Sequence, residues 1–239
     1  MYEAQPSLRR EVMAADAVPE ERVDFIRKTY LHLGLAVLAF AGLEAFILNT
    51  PAIRDPLLNL LVGYGRFGWL AVIGAFMLVG WIAESWARNS RSRGMQYAGL
   101  GLYVVAEAII FCPLLYIITY FARYEGILTQ AMLMTGVIFG GLTAIVFLTK
   151  SDFSWMRNIL YVAGLAALGI AVASLIFGFS LGIVYSAAMV VLAAGYILYY
   201  TSNVMHHYPI GSHVAAALAL FAAVALLFWY IIRILMSRR

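Results

Sequence analysis

Ionisable side chains inside long apolar runs are the residues of this chain that could do chemistry, and each is costly at membrane depth and functional by default. Glu107 lies six residues before Pro113 in "AEAIIFCPLL". A proline in a membrane helix leaves a backbone carbonyl one turn earlier without its donor. A carboxylate near a free carbonyl can bind a cation or relay a proton. The plainer alternative is a protonated Glu107 hydrogen-bonded to a neighbouring helix. Glu84, near the end of an earlier run, has Arg88 four residues on and within reach along a helix surface. Glu107, Glu84 and Pro113 are therefore the ion-pathway candidates. Glu44 and Arg233 fall in the same half of the membrane on the first and last runs. They form a candidate ion pair, because pairing lowers the cost of burying either charge.

Other polar groups are weaker candidates. His206, His207 and His213 cluster in "TSNVMHHYPIGSH", where histidine titration near neutral pH would suit a sensor. Adjacent histidines in a polar loop are more simply solvated, and no metal site or cofactor is expected. "GFSLG" around Ser180 matches the nucleophile elbow of hydrolases, but that elbow needs a strand before it. Apolar helical runs flank it here, so it reads as a glycine-rich turn. No nucleophile–base pair is evident, and the chain is not expected to be an enzyme. A single cysteine, Cys112, excludes a disulfide framework.

The elements that must hold these residues follow from composition. Of 239 residues, 64% are hydrophobic and 12% charged, with a mean hydropathy of +0.89. A soluble domain carries about 25% charged residues, so this chain belongs in a lipid bilayer. Seven apolar spans are predicted, near 31–49, 67–87, 95–121, 128–148, 158–178, 180–200 and 212–236. Each has roughly the 20 residues that cross the hydrocarbon core as a helix, and none alternates as a barrel strand would. The fold class is an all-α integral membrane protein, a seven-transmembrane helix bundle. Residues 1–29 read as a polar N-terminal arm, largely disordered with room for one short helix, and with none of the apolar core of a secretory signal. Residues 30–239 form the membrane domain. Gly136 and Gly140 make a G-x-x-x-G pair of the kind that lets helices approach closely.

Orientation follows from the basic residues. Ten lie in the N-terminal arm and the loops on its side of the membrane, and five lie on the other side. The N-terminus is expected in the cytoplasm and the C-terminus outside. Short basic gaps between apolar runs suit orientation in a membrane, and no nucleic-acid partner is expected.

Five stretches in order carry a resemblance: "FIRKTYLHLGLAV", "YVVAEAIIFCPLL", "LTKSDFSWM", "GYILYYTSN" and "AAALALFAAVALLFWYIIRIL". Together they resemble the Bax inhibitor-1 family of seven-helix membrane proteins from about residue 25 onward. The resemblance implies six helices around a central C-terminal one. It also implies a pH-sensitive calcium leak, gated by two aspartates that share a proton. The family pattern L-Y-D-T at the end of span six reads Leu198-Tyr199-Tyr200-Thr201 here, so Tyr200 replaces one aspartate. In span seven Ala223 replaces the other. Arg233 matches a basic position frequent in the family. A tyrosine, with an ordinary pKa about 10, cannot replace the switch near neutral pH. Tyr196, Tyr199, Tyr200 and Asn203 read instead as an interfacial belt and a helix-end cap.

The expected function is a cation (calcium) leak channel, with the sensor replaced and Glu107 as pathway carboxylate. The alternative is a non-conducting membrane regulatory or scaffold protein, such as a modulator of a membrane protease. Its N-terminal arm would hold a membrane protein partner. The resemblance to bacterial relatives implies a bacterial inner membrane.

Overall fold

The computed structural model describes residues 12–63, 65–89 and 92–238. They form eight helices: α1 (Pro19–Asn49), α2 (Pro51–Val62), α3 (Gly65–Ala87), α4 (Arg93–Tyr120), α5 (Ile127–Thr149), α6 (Arg157–Phe177), α7 (Ile183–His206) and α8 (His213–Ser237). All but α2 are long and apolar enough to cross a membrane, and the chain is an all-α seven-span bundle.

Local chemistry explains the boundaries. α1 opens on Pro19, with Glu20 and Glu21 in its first turn. There the missing N–H costs nothing and the acids meet the positive end of the helix dipole. The helix therefore starts well inside the polar stretch that sequence alone suggests is a disordered arm. Residues 1–11 of that arm lie outside the described residues. α1 stops at Thr50, which is extended because the next residue is Pro51. Pro51 then starts α2. This short helix was not among the predicted elements, and Arg54 ties it down. The guanidinium donates to the Leu48 carbonyl at 3.2 Å and lies over the rings of Tyr116 and Tyr120. Ser92 caps α4 by accepting from the Met95 N–H, and Gly178 ends α6 with φ at 78°.

The last helix is the central one. Two-thirds of the most apolar stretch of α8 is buried, against 11% for α3 and α6. It packs on α7, α1, α5, α4 and α3. Its first half is alanine-rich, and Ala215, Ala216, Ala217 and Ala219 are all buried. Beyond the alanines, Phe221 lies edge-on to Phe40 of α1 and Tyr103 of α4. Phe111 of α4 stands edge-on to both Phe40 and Trp229, at 5.1 and 4.9 Å. α6 is the exception to the ring around α8. It leans on α3 and α7 and leaves a space between itself and the central helix.

The close helix contacts are not at the G-x-x-x-G pair. Gly136 and Gly140 are exposed, and an added Cβ at either would meet nothing within 4 Å. Gly99 is the tight point. A Cβ there would lie 2.4 Å from the Ala83 carbonyl oxygen and 2.7 Å from the Ala87 nitrogen, so α4 touches the backbone of α3. Gly195 meets only side-chain ends, those of Leu160 and Met156. We expect Gly99→Ala to lower the thermal unfolding midpoint in detergent, at a cost of about 1–3 kcal/mol for overpacking. Gly136→Ala and Gly140→Ala should leave the midpoint unchanged. Equal midpoints for all three variants would refute the α3–α4 contact.

Candidate functional site

The space between α6 and α8 is a cavity of about 670 Å³. Its walls come from α3, α4, α6, α7 and α8. α8 faces it with Ala222, Ala223, Leu226, Trp229, Tyr230 and Arg233, a run at helical spacing along one side. Tyr103, Tyr200 and the two alanines sit at one end, which we call the floor. Arg233 and Trp69 sit towards the other end, on the side of the α6–α7 hairpin. Most of the wall is aromatic or aliphatic.

Glu107 is in this wall and is 6% exposed. Tyr103, one helical turn before it on α4, has its hydroxyl against the carboxyl. Pro113 is buried but does not line the cavity. Tyr200 and Ala223, from different helices, meet at the floor. Tyr200 stacks on Tyr196 with ring centres 5.8 Å apart and planes 13° apart, and the Tyr196 hydroxyl donates to the Leu160 carbonyl of α6 at 3.0 Å. Tyr196 and Tyr200 thus face the cavity, whereas Tyr199 is not among its lining residues. α7 runs on to His206, so Tyr196 and Tyr200 turn inward, and Asn203 is buried within the last turn.

Glu44 and Arg233 are not paired. Both Glu44 oxygens are buried without a hydrogen-bond partner, whereas Arg233 is in the cavity wall. Side-chain direction explains the separation. The cavity side of α8 faces α6 and α7, while α1 packs elsewhere on α8. Glu84 is bonded to Arg88 one turn on, and both are half exposed or more. Such a pair contributes little stability, and Glu84 is not in the cavity wall.

Beyond Tyr200, at the same end of the bundle, α7 leads into a polar cluster of three segments. The N–H groups of Ala14 and Ala15 donate to the carbonyls of Tyr208 and His206, and the Ile210 N–H donates to the Val12 carbonyl. The first described residues thus lie antiparallel to the α7–α8 loop. The α5–α6 loop joins them. Asp152 bonds His207 at 2.9 Å and accepts from the Ser154 N–H at 2.8 Å. Partial burial opposes the Asp152 charge. The Ser154 N–H, His207 and the Ser154 hydroxyl outweigh it and lower the carboxyl from 3.8 to about 2. His207 is therefore partnered and not merely solvated. His213 lies against His32, with ring centres 4.9 Å apart. His32 donates from Nδ1 to the Lys28 carbonyl, which leaves Nε2 to accept from the Tyr97 hydroxyl at 3.1 Å. Sequence reading passed over His32, although its spacing from Phe25 and Phe40 around the helix would have placed it near the buried side. Among the described residues no group of three or more His, Cys, Asp or Glu is placed to hold a metal. Ser180 lies in the turn between α6 and α7, with no strand before it.

A seven-span bundle around a central last helix, with Glu107 and Arg233 in the wall of a largely apolar cavity, defines a class of multi-pass membrane protein. The family described as "Inhibitor of apoptosis-promoting Bax1" matches residues 22–239, and the chain belongs to it. An uncharacterized protein of Pseudomonas aeruginosa is 28% identical over 91% of this chain and 92% of its own length. Protein lifeguard 4 of Mus musculus is 27% identical over 92% of this chain and 88% of its own. An uncharacterized membrane protein of Vibrio cholerae is 26% identical over 46% of this chain and 49% of its own length.

The geometry makes two expectations testable. Replacing Glu44 by Leu removes two buried, unpartnered oxygens, and should raise the thermal midpoint in detergent by the equivalent of about 1–3 kcal/mol; a lower midpoint would mean that a partner is engaged in the membrane. Asp152→Asn should speed hydrogen exchange at residues 150–156. Because the folded carboxyl is depressed, its contribution is complete above its ordinary value of 3.8 and is lost as pH falls towards about 2. Wild-type protection of this loop should therefore hold down to about pH 4. Loss of protection between neutral pH and pH 5 would contradict the assignment.

Proposed function

We propose that the chain is a cation leak of a bacterial inner membrane, with calcium as the ion and the aspartate-pair sensor replaced. One observation carries the reading. Glu107 lines the same cavity as Tyr200 and Ala223, the two positions where the family's sensor carboxylates would stand. Glu107 is then the acid of the route, because a cation crossing an apolar space needs an oxygen ligand there. Tyr103 shares that carboxyl and positions it. With no acid at 200 or 223, the floor has no like-charged pair to be forced apart by deprotonation. The Lys and Arg asymmetry supports an N-terminus in the cytoplasm, so the Tyr200 end of the cavity faces the cytoplasm and the Arg233 end faces outward.

A second reading has its own support. Tyrosines and alanines fill the floor, and the N-terminal segment is bonded to the α7–α8 loop at the same end of the bundle, which suits a non-conducting regulator that presents this cluster to a membrane protein partner. Calcium flux into liposomes, measured from about pH 5.5 to 8 so as to bracket the ordinary histidine range, separates the two. The leak reading predicts flux in wild type and none above protein-free liposomes for Glu107→Gln. Restoring both acids, with Tyr200→Asp and Ala223→Asp together, should make the flux pH-dependent. A silent wild type beside a conducting double variant would favour the regulator. Flux untouched by Glu107→Gln would remove Glu107 from the route.

A further inference from the structure

The cavity has a feature that a cation route does not use. Arg233 lines it, half buried, with no hydrogen bond or ion pair among the described residues. The Tyr230 hydroxyl, one turn back on the same helix, lies within reach of its charge and is shared with Tyr185 of α7. The acids that might have matched it are occupied elsewhere or out of reach: Glu107 is with Tyr103, Glu84 is with Arg88, and Glu44 is on another face of the bundle. An unmatched guanidinium at the rim of an apolar space calls for an anion, and its planar fork suits a phosphate held through two hydrogen bonds.

Length and access define the rest of the ligand. From Ala222 at the floor to Arg233 is eleven residues of α8, or about 16 Å at 1.5 Å per residue. One leaflet of a bilayer is half of a hydrocarbon core about 30 Å thick. A lipid with its phosphate at Arg233 can therefore run one acyl chain down to the floor. The walls along that line are Trp69, Phe76, Leu226 and Trp229. Space lined in this way holds water poorly and accepts an apolar guest. α6 stands off α8, and the cavity side of α8 is half exposed at Ala222, Leu226, Trp229 and Tyr230 although this is the central helix. The surrounding bilayer supplies the occupant.

We propose that the cavity between α6 and α8 binds one acyl chain of an anionic phospholipid, with its phosphate on Arg233 and Tyr230. The site goes beyond the leak reading and stands whether or not the cavity conducts cations. If it does conduct, the same lipid is a plug, because chain and ion cannot share the space beside Glu107.

Two of the five tryptophans, Trp69 and Trp229, line the cavity, which gives a direct probe. The full chain carrying Trp81→Phe, Trp86→Phe and Trp155→Phe is placed in neutral detergent micelles. Phosphatidylglycerol brominated on its acyl chains is then titrated in, with brominated phosphatidylcholine and dibromostearate as parallel arms. Bound bromine quenches neighbouring indole fluorescence. The proposal predicts saturable quenching by phosphatidylglycerol at about a tenth of the mole fraction that phosphatidylcholine needs, because both carry the phosphate but the choline cation competes with Arg233 for it. Arg233→Gln should erase that preference while Arg233→Lys keeps part of it. Ala222→Leu, which fills the floor, should weaken quenching by both lipids. Quenching that rises linearly with either lipid, unchanged by Arg233→Gln, would overturn the site. Saturation by dibromostearate alone would replace the phospholipid with a free fatty acid and overturn the assignment to phosphate. Because this readout involves no ion, its failure leaves the flux result standing, and the reverse also holds.

Discussion

Lipid gives α8 no hydrophobic reason to sit at the centre of the bundle. Its neighbours must hold it by close contact, and everything else in the structure depends on that requirement. Lipid tails are as apolar as leucine, so helices associate in a membrane through packing and polar contacts. The first half of α8 meets the requirement with alanines, which let α1, α5 and α7 approach. The second half meets it with large rings, where Phe111 engages both Phe40 and Trp229. The change from small to large side chains along one helix gives the bundle a tight end and a looser one. The cavity lies where large side chains hold α6 away from α8.

Much of this was legible in the sequence. The seven spans are long, uniform apolar runs, and a bilayer imposes one solution on such runs. The missed α2 is amphipathic, short and interrupted by Pro56, so it gives neither a long apolar run nor a clean period. The early start of α1 was signalled by Pro19 followed by two glutamates, but that signal was outweighed by the polarity of the surrounding residues. Helix contact was harder to read. Gly136–Gly140 has the right spacing and Gly99 has no motif, yet Gly99 touches a neighbouring backbone. Spacing shows that a helix has a small face and does not show where the face points.

The same limit governs the site. Sequence supplied Glu107, Tyr200 and Ala223 as separate candidates, and their common cavity is a property of three helices. It also suggested joining Glu44 to Arg233 because they share a depth in the membrane. Depth along a helix is readable from residue number, whereas azimuth depends on which neighbour each face meets. The tyrosines of α7 illustrate this. An aromatic group near a helix end suggests a lipid interface, but two further turns of α7 and a contact with Leu160 turned Tyr196 and Tyr200 inward.

The backbone bonds between residues 12–15 and 206–210 also bear on how the protein is made. The segment that pairs precedes the first span, and its partner loop follows the sixth. All the intervening spans must enter the bilayer before those bonds can form. Domains fold as units once synthesised, and contacts of such separation close late because loop entropy must be met first. The pairing of residues 12–15 with 206–210 is thus a mark of completion: it closes only when the six spans between the two segments are in place.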